Sequence, residues 1–184
     1  EINMADIKPS LAGPKRPQDR ITLDSMKEEY FKTLTNPANG YNVSEENYNN
    51  SVELANGEKL SHGSVALASI TSCTNTSSPS LMIAAGLVAK KAVEKGLKVP
   101  SFVKTCLAPG SRVVTEYLDQ AGLLSPLETL GFNIVGYGCA TCIGNSGPLN
   151  QEISDAISEG DLIVSSVTSG NRNFEGRIHA EIQT

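Results

Sequence analysis

Residues 136–147 read GYGCATCIGNSG, a loop that places Cys139 and Cys142 two residues apart among four glycines. Deprotonated, both thiols are soft ligands suited to iron or zinc. Two thiolates complete neither a tetrahedral zinc site nor an iron–sulfur site, each of which ordinarily takes four protein ligands. The chemistry of the loop therefore depends on what the rest of the chain brings to it. The candidates are two further cysteines, Cys73 and Cys106, and two arginines, Arg172 and Arg177, five residues apart. Four cysteines in 184 residues are too few for a disulfide scaffold and suit metal binding, catalysis or packing.

The elements that must position these residues follow from the hydrophobic pattern. Residues 1–23 carry three prolines and the cluster KRPQDR, and read as an extended segment along the surface. Ser25 and Glu28 have capping-box spacing for a helix whose apolar face is Met26, Tyr30, Phe31 and Leu34. SVELANGEKL (51–60) alternates around Asn56-Gly57, which predicts a hairpin. From Ser64 onward strands and helices alternate: strand 64–71, helix 77–96, strand 99–107, a helix capped by Ser111 with Val113, Val114, Tyr117, Leu118 and Ala121 on its buried face, strand 132–138, helix 151–160 and strand 161–169. This order predicts an α/β fold, a three-layer α/β/α domain with a mostly parallel sheet and helices on both faces. The expected organisation is a single domain over 1–184, with the leading segment 1–23, a helix and hairpin at 24–63, and the α/β core at 64–184.

In such sheets sites gather beyond the carboxyl ends of the strands. Those ends are followed by Ser72-Cys73-Thr74-Asn75-Thr76, by Ala108-Pro109-Gly110-Ser111, by Cys139 and Cys142, and by Gly170-Asn171-Arg172-Asn173. Three cysteines and an arginine are thus expected on one edge. Three thiolates on a four-iron cluster leave one iron without a protein ligand, which suits a Lewis-acid catalyst better than an electron carrier. The glycines can bring backbone N–H groups close to anionic sulfur. Other readings compete. Cys139 and Cys142 could form a redox pair, although the usual aromatic and proline neighbours are missing. With Cys73 and either His62 or His179 they could instead bind zinc. Cys106, inside a strand, reads as packing. Arg172 and Arg177 have the fork geometry that grips carboxylates, though Arg177 could equally pair with Glu175.

The net charge of −5 argues against bulk electrostatic binding to nucleic acid. The longest apolar run, 81–89, is too short to span a membrane, so no membrane partner is expected. No targeting segment is visible, and a cytoplasmic location is expected. The chain starts without methionine and stops directly after RIHAEIQT, so a piece of a longer protein is expected.

The stretches ITSCTNTSSPS (70–80), KTCLAPGSRVV (104–114), GYGCATCIGNSGPL (136–149) and SGNRNFEGRIH (169–179) resemble the aconitase family, and GPKRPQDR (13–20) resembles its aconitase A and iron-regulatory-protein branch. The resemblance covers essentially the whole chain and implies the third, iron–sulfur domain of a four-domain hydro-lyase. Such an enzyme interconverts citrate and isocitrate through cis-aconitate in the tricarboxylic acid cycle. By motif match Cys73, Cys139 and Cys142 would hold a 4Fe–4S cluster, and Arg172 and Arg177 would grip the carboxylates of the tricarboxylate substrate. Asn75 and Asn171 would lie beside the cluster. The family's proton-abstracting serine lies in the last domain and its Asp–His pairs in earlier ones, so no catalytic acid or base is expected here and the remaining domains are required partners. Cys106 stands where the family commonly has serine. A methylcitrate-pathway dehydratase of the same branch is the close alternative, because one methyl group separates the substrates. The branch also implies RNA binding by the cluster-free form, to which Lys15, Arg16 and Arg20 could contribute; a basic turn paired with Asp19 is the plainer expectation for them.

Overall fold

A computed structural model describes residues 3–16, 18–73, 78–170 and 176–184. The chain opens with a 3-10 turn and a two-stranded antiparallel ribbon, β1 (Ser10–Ala12) and β2 (Arg20–Thr22). Helix α1 (Met26–Thr35) follows, then a hairpin of β3 (Ser51–Glu53) and β4 (Lys59–Ser61). The core comprises β5 (Val65–Ile70), α2 (Pro79–Glu94), β6 (Lys104–Leu107), α3 (Arg112–Gln120), α4 (Leu124–Thr129), α5 (Gln151–Glu159) and β7 (Ser165–Thr168).

Strands β6, β5 and β7 form one sheet in that order, and both pairings are parallel. Side chains alternate across a strand, and the register shows which core each face meets. Leu67 stands opposite Lys104 and packs with Leu60, Ile153, Ile157 and Leu162. Ile70 stands opposite Leu107, three residues on and therefore on the other face, and packs with Met82, Leu118 and Leu127. Thus α5 covers one face and α2, α3 and α4 the other, giving the expected three layers. A third cluster joins Tyr30 and Leu34 of α1 to Ile163. There the Tyr30 hydroxyl donates to the Ile163 carbonyl at 2.7 Å, and the Ile163 N–H donates to His62 Nδ1 at 3.0 Å. These two bonds fix the approach to β7.

Several expectations fail for local reasons. The segment 132–138 makes only a single parallel bridge, Leu107 to Ile134, because Gly136 and Gly138 turn the chain up toward Pro109, whose carbonyl accepts the Gly138 N–H at 2.7 Å. The capping box does not form: the Ser25 hydroxyl donates to the Thr22 carbonyl at 3.1 Å, and Glu28 pairs with Lys32 at 2.8 Å. In α3 the buried positions are Val114 and Leu118, while Val113 and Ala121 are exposed, since three- and four-residue steps share a helix face and Val113 is one step off it. Helix α4 was not expected, with Pro126 in its sequence; that proline falls in the first turn, where its missing N–H has no helical partner to lose. The extended leading segment doubles back on itself as the ribbon β1–β2, with its strand residues exposed or half-buried.

Helix α2 approaches the turn before α4 so closely that a Cβ at Gly86 would lie 2.7 Å from Leu123 Cβ. Gly→Ala in an exposed helix gains about 1 kcal/mol, whereas overpacking a core costs about 1–3 kcal/mol. Gly86→Ala is therefore expected to lower the urea midpoint without changing the m-value; a raised midpoint would show that the helices can part freely.

Candidate metal centre

The exits of the strands are tied to one another. The Ile70 carbonyl accepts the Ala108 N–H at 2.9 Å, and the Ser69 carbonyl accepts the Ser169 N–H at 3.0 Å. Ser169 Oγ in turn accepts the Thr71 N–H at 3.0 Å. With the Gly138–Pro109 bond, the four segments that carry or adjoin the candidate residues leave from one rim. At that rim the Ser72 hydroxyl lies 4.0 Å from Cys139 Sγ. Gly170 abuts Cys73 so closely that a Cβ there would sit 2.7 Å from Cys73 Cβ. Cys73 and Cys139 are exposed and Cys142 is only 4% exposed. Arg177 reaches the same loop: its Nε donates to the Cys142 carbonyl at 3.0 Å. Behind it Gly144, with φ +82°, leaves room for the Arg177 carbonyl, which a Cβ would approach to 3.0 Å. Asn75, Asn171 and Arg172 lie outside the described residues.

The donor set bears on what could bind. A single zinc ion with bonds of about 2.3 Å draws its sulfurs to within roughly 4 Å of one another. Among the described residues no group of three His, Cys, Asp or Glu side chains is placed to hold a metal ion, zinc or iron. His62 is not available as a fourth ligand: its Nδ1 accepts from Ile163, and its Nε2 lies 3.0 Å from the Asn47 carbonyl and so carries the proton. The loop also holds two buried hydroxyls, Thr141 Oγ1 and Ser146 Oγ, that have no hydrogen-bond partner among the described residues. An unpaired buried hydroxyl costs about 1–3 kcal/mol, and these two flank Cys142. Three soft thiols with nearby unspent donors fit an anionic, sulfur-rich group. Two of the four expected glycine donors are consumed, since the Gly138 N–H bonds to Pro109 and the Gly144 N–H to Thr141.

Sequence comparison decides the family. The model of the aconitase family (aconitate hydratase) matches residues 1–184. The chain belongs to the aconitase family. It is 58% identical over 186 residues to aconitate hydratase A of Francisella tularensis subsp. holarctica and 59% identical over 186 residues to that of Deinococcus radiodurans, with all of the chain aligned in both. It is 58% identical over 185 residues to aconitate hydratase A of Bacillus subtilis, with 97% of the chain aligned. In each case it spans about 20% of the relative's length.

Within this aconitase-family domain Cys106 is a packing residue. It is fully buried in β6 opposite Ser69, and burial pushes its thiol above the usual range, with Lys104 partly opposing the shift. The basic residues of the leading segment are each engaged: Arg16 pairs with Asp19 at 3.0 Å, Arg20 donates to the Ser10 hydroxyl, and Lys15 bonds the Gly40 carbonyl and lies over the Tyr41 ring. A cavity of about 470 Å³ lies between the ribbon, α1 and β7, and a larger one of about 680 Å³ runs from the ribbon along β5 and β7 to Ser169 and Gly170 at the rim; no described cysteine lines either. Limited alkylation of the metal-free chain should modify Cys73 and Cys139 before Cys106 and Cys142, as read by peptide mass spectrometry. Early labelling of Cys142 would contradict the burial of the loop.

Proposed function

We propose that this chain is the cluster-holding domain of an aconitate hydratase that interconverts citrate and isocitrate through cis-aconitate. The observation that carries the proposal is the rim, where the strand exits bring the Cys73 and Cys139–Cys142 segments together beside Arg177. Cys73, Cys139 and Cys142 would hold a 4Fe–4S cluster. When bound, such a cluster supplies an iron without a protein ligand, a Lewis acid for a substrate hydroxyl and carboxylate.

The chain's own residues bind and orient. With Nε committed to the Cys142 carbonyl, Arg177 keeps its two terminal nitrogens for a paired contact with a carboxylate. The bond to Cys142 also fixes the guanidinium relative to the cysteine loop, so the substrate's acid groups are held in register with the metal. Arg172 would add a second grip. No general base is supplied by the described histidines: His62 is locked between Asn47 and Ile163, and His179 Nδ1 accepts the Glu181 N–H. The family resemblance assigns proton abstraction to other domains, and the engagement of both histidines agrees with that assignment.

Iron and zinc analysis after anaerobic purification should find iron with sulfide and little zinc; zinc in place of iron would replace this reading with a structural zinc module. Cys73→Ser should reduce iron content and Cys106→Ser should not, while turnover by the 184-residue chain alone should be undetectable. In the complete enzyme Arg177→Lys should lower kcat/KM for citrate about tenfold to a hundredfold, as expected for losing a charge-assisted pair worth about 1.5–3 kcal/mol. An unchanged value would remove Arg177 from the substrate site.

A further inference from the structure

Buried hydroxyl groups in folded proteins nearly always find a partner, yet the nine residues from Cys139 to Gly147 contain two that do not. Thr141 is fully buried and Ser146 is 7% exposed, and neither Oγ1 of Thr141 nor Oγ of Ser146 bonds to any described residue. The backbone around them is well paired. The Ile143 and Asn145 N–H groups both bond to the Ala140 carbonyl, and the Gly144 N–H bonds to the Thr141 carbonyl. The 3-10 turn Thr141–Ile143 thus commits three of the loop's N–H groups to its own carbonyls. The two hydroxyls are buried side-chain donors that the loop leaves unspent. Thr141 lies between the two cysteines of the motif, and Ser146 lies four residues beyond the second.

Building on the cluster reading above, we propose that Thr141 and Ser146 are positioning residues that donate their hydroxyl protons to the sulfur of the bound cluster. Hydrogen bonds to cluster sulfur favour the more negatively charged, reduced form and so raise the reduction potential. They also neutralise part of the sulfur charge in a site with an exposed side, which slows oxidative loss of iron. The two hydroxyls are unsatisfied without the cluster and satisfied with it, so removing them should have opposite effects on the two forms.

The test uses Thr141→Val, which keeps the shape, together with Ser146→Ala and the double variant, in the complete enzyme. Tyr117→Phe serves as the control, because the Tyr117 hydroxyl is also buried and unpartnered but lies on α3, outside the loop. The readouts are the thermal midpoint of the cluster-free protein, the reduction potential from an EPR-monitored titration, and the rate of bleaching in air. Thr141→Val is expected to keep or raise the cluster-free midpoint, shift the potential to more negative values and bleach several-fold faster. The double variant should move both readouts further, Thr141→Ser should restore them, and Tyr117→Phe should move neither. Wild-type potential and bleaching in the variants, at wild-type iron content, would overturn the proposal. So would a fall in the cluster-free midpoint with the cluster properties unmoved, which marks the hydroxyls as structural. If Thr141→Val does not fold, Ser146→Ala decides by the same readouts. A wild-type enzyme that takes up no cluster defeats the aconitate hydratase reading itself, and this inference falls with it.

Discussion

The arrangement rests on parallel strands that stop in step. Each strand of a parallel sheet exposes its last carbonyl and amide groups at the same edge, and here those groups are bonded to the exit of the neighbouring strand: Ile70 to Ala108, Ser69 to Ser169. This fixes where each following loop begins. Residues separated by about a hundred positions in sequence, such as Cys73 and Gly170, come so close as a result that a Cβ at Gly170 would clash with Cys73. A loop that starts from a fixed point needs few further contacts to be aimed, and Gly138 supplies the decisive one by bonding Pro109. The rim is therefore a property of the sheet first and of the cysteine motif second.

Much of this is legible in the sequence. The alternation of strands and helices gives the sheet, its direction and the two helical layers, and the rule that sites lie beyond strand carboxyl ends selects Cys73, Cys139 and Cys142 without Cys106. What the sequence does not carry is mostly decided by competition for hydrogen bonds. Ser25 has the spacing of a cap, yet its hydroxyl meets Thr22 instead. Residues 132–138 have the composition of a strand, but two glycines let the chain leave after one bridge. His62 is a plausible ligand by type, and only the structure shows both ring nitrogens occupied. The bond from Arg177 to the Cys142 carbonyl and the unpaired state of Thr141 and Ser146 have no sequence signal at all, because they depend on which partners the fold leaves unused.

The chain also shows how a site can be divided. Among the described residues Cys73 and Cys139 are exposed at the rim, and Arg177 bonds to the cysteine loop beside them. The chain's histidines serve the fold. On the proposed reading the reaction removes a proton and a hydroxide from neighbouring carbons, and its base would come from outside this chain. Stability and chemistry are separated accordingly: the two cores lie on the sheet faces, and the reactive groups lie at its end.

The central claim is that three sulfurs from this rim hold a cluster with one iron left for substrate. Mössbauer spectroscopy of anaerobically loaded, iron-57-enriched protein, recorded with and without citrate in the complete enzyme, addresses it most directly. The account predicts a single iron site whose signal shifts on adding citrate while the other iron signals stay in place. A spectrum in which no iron responds to citrate, or in which all respond alike, would contradict it.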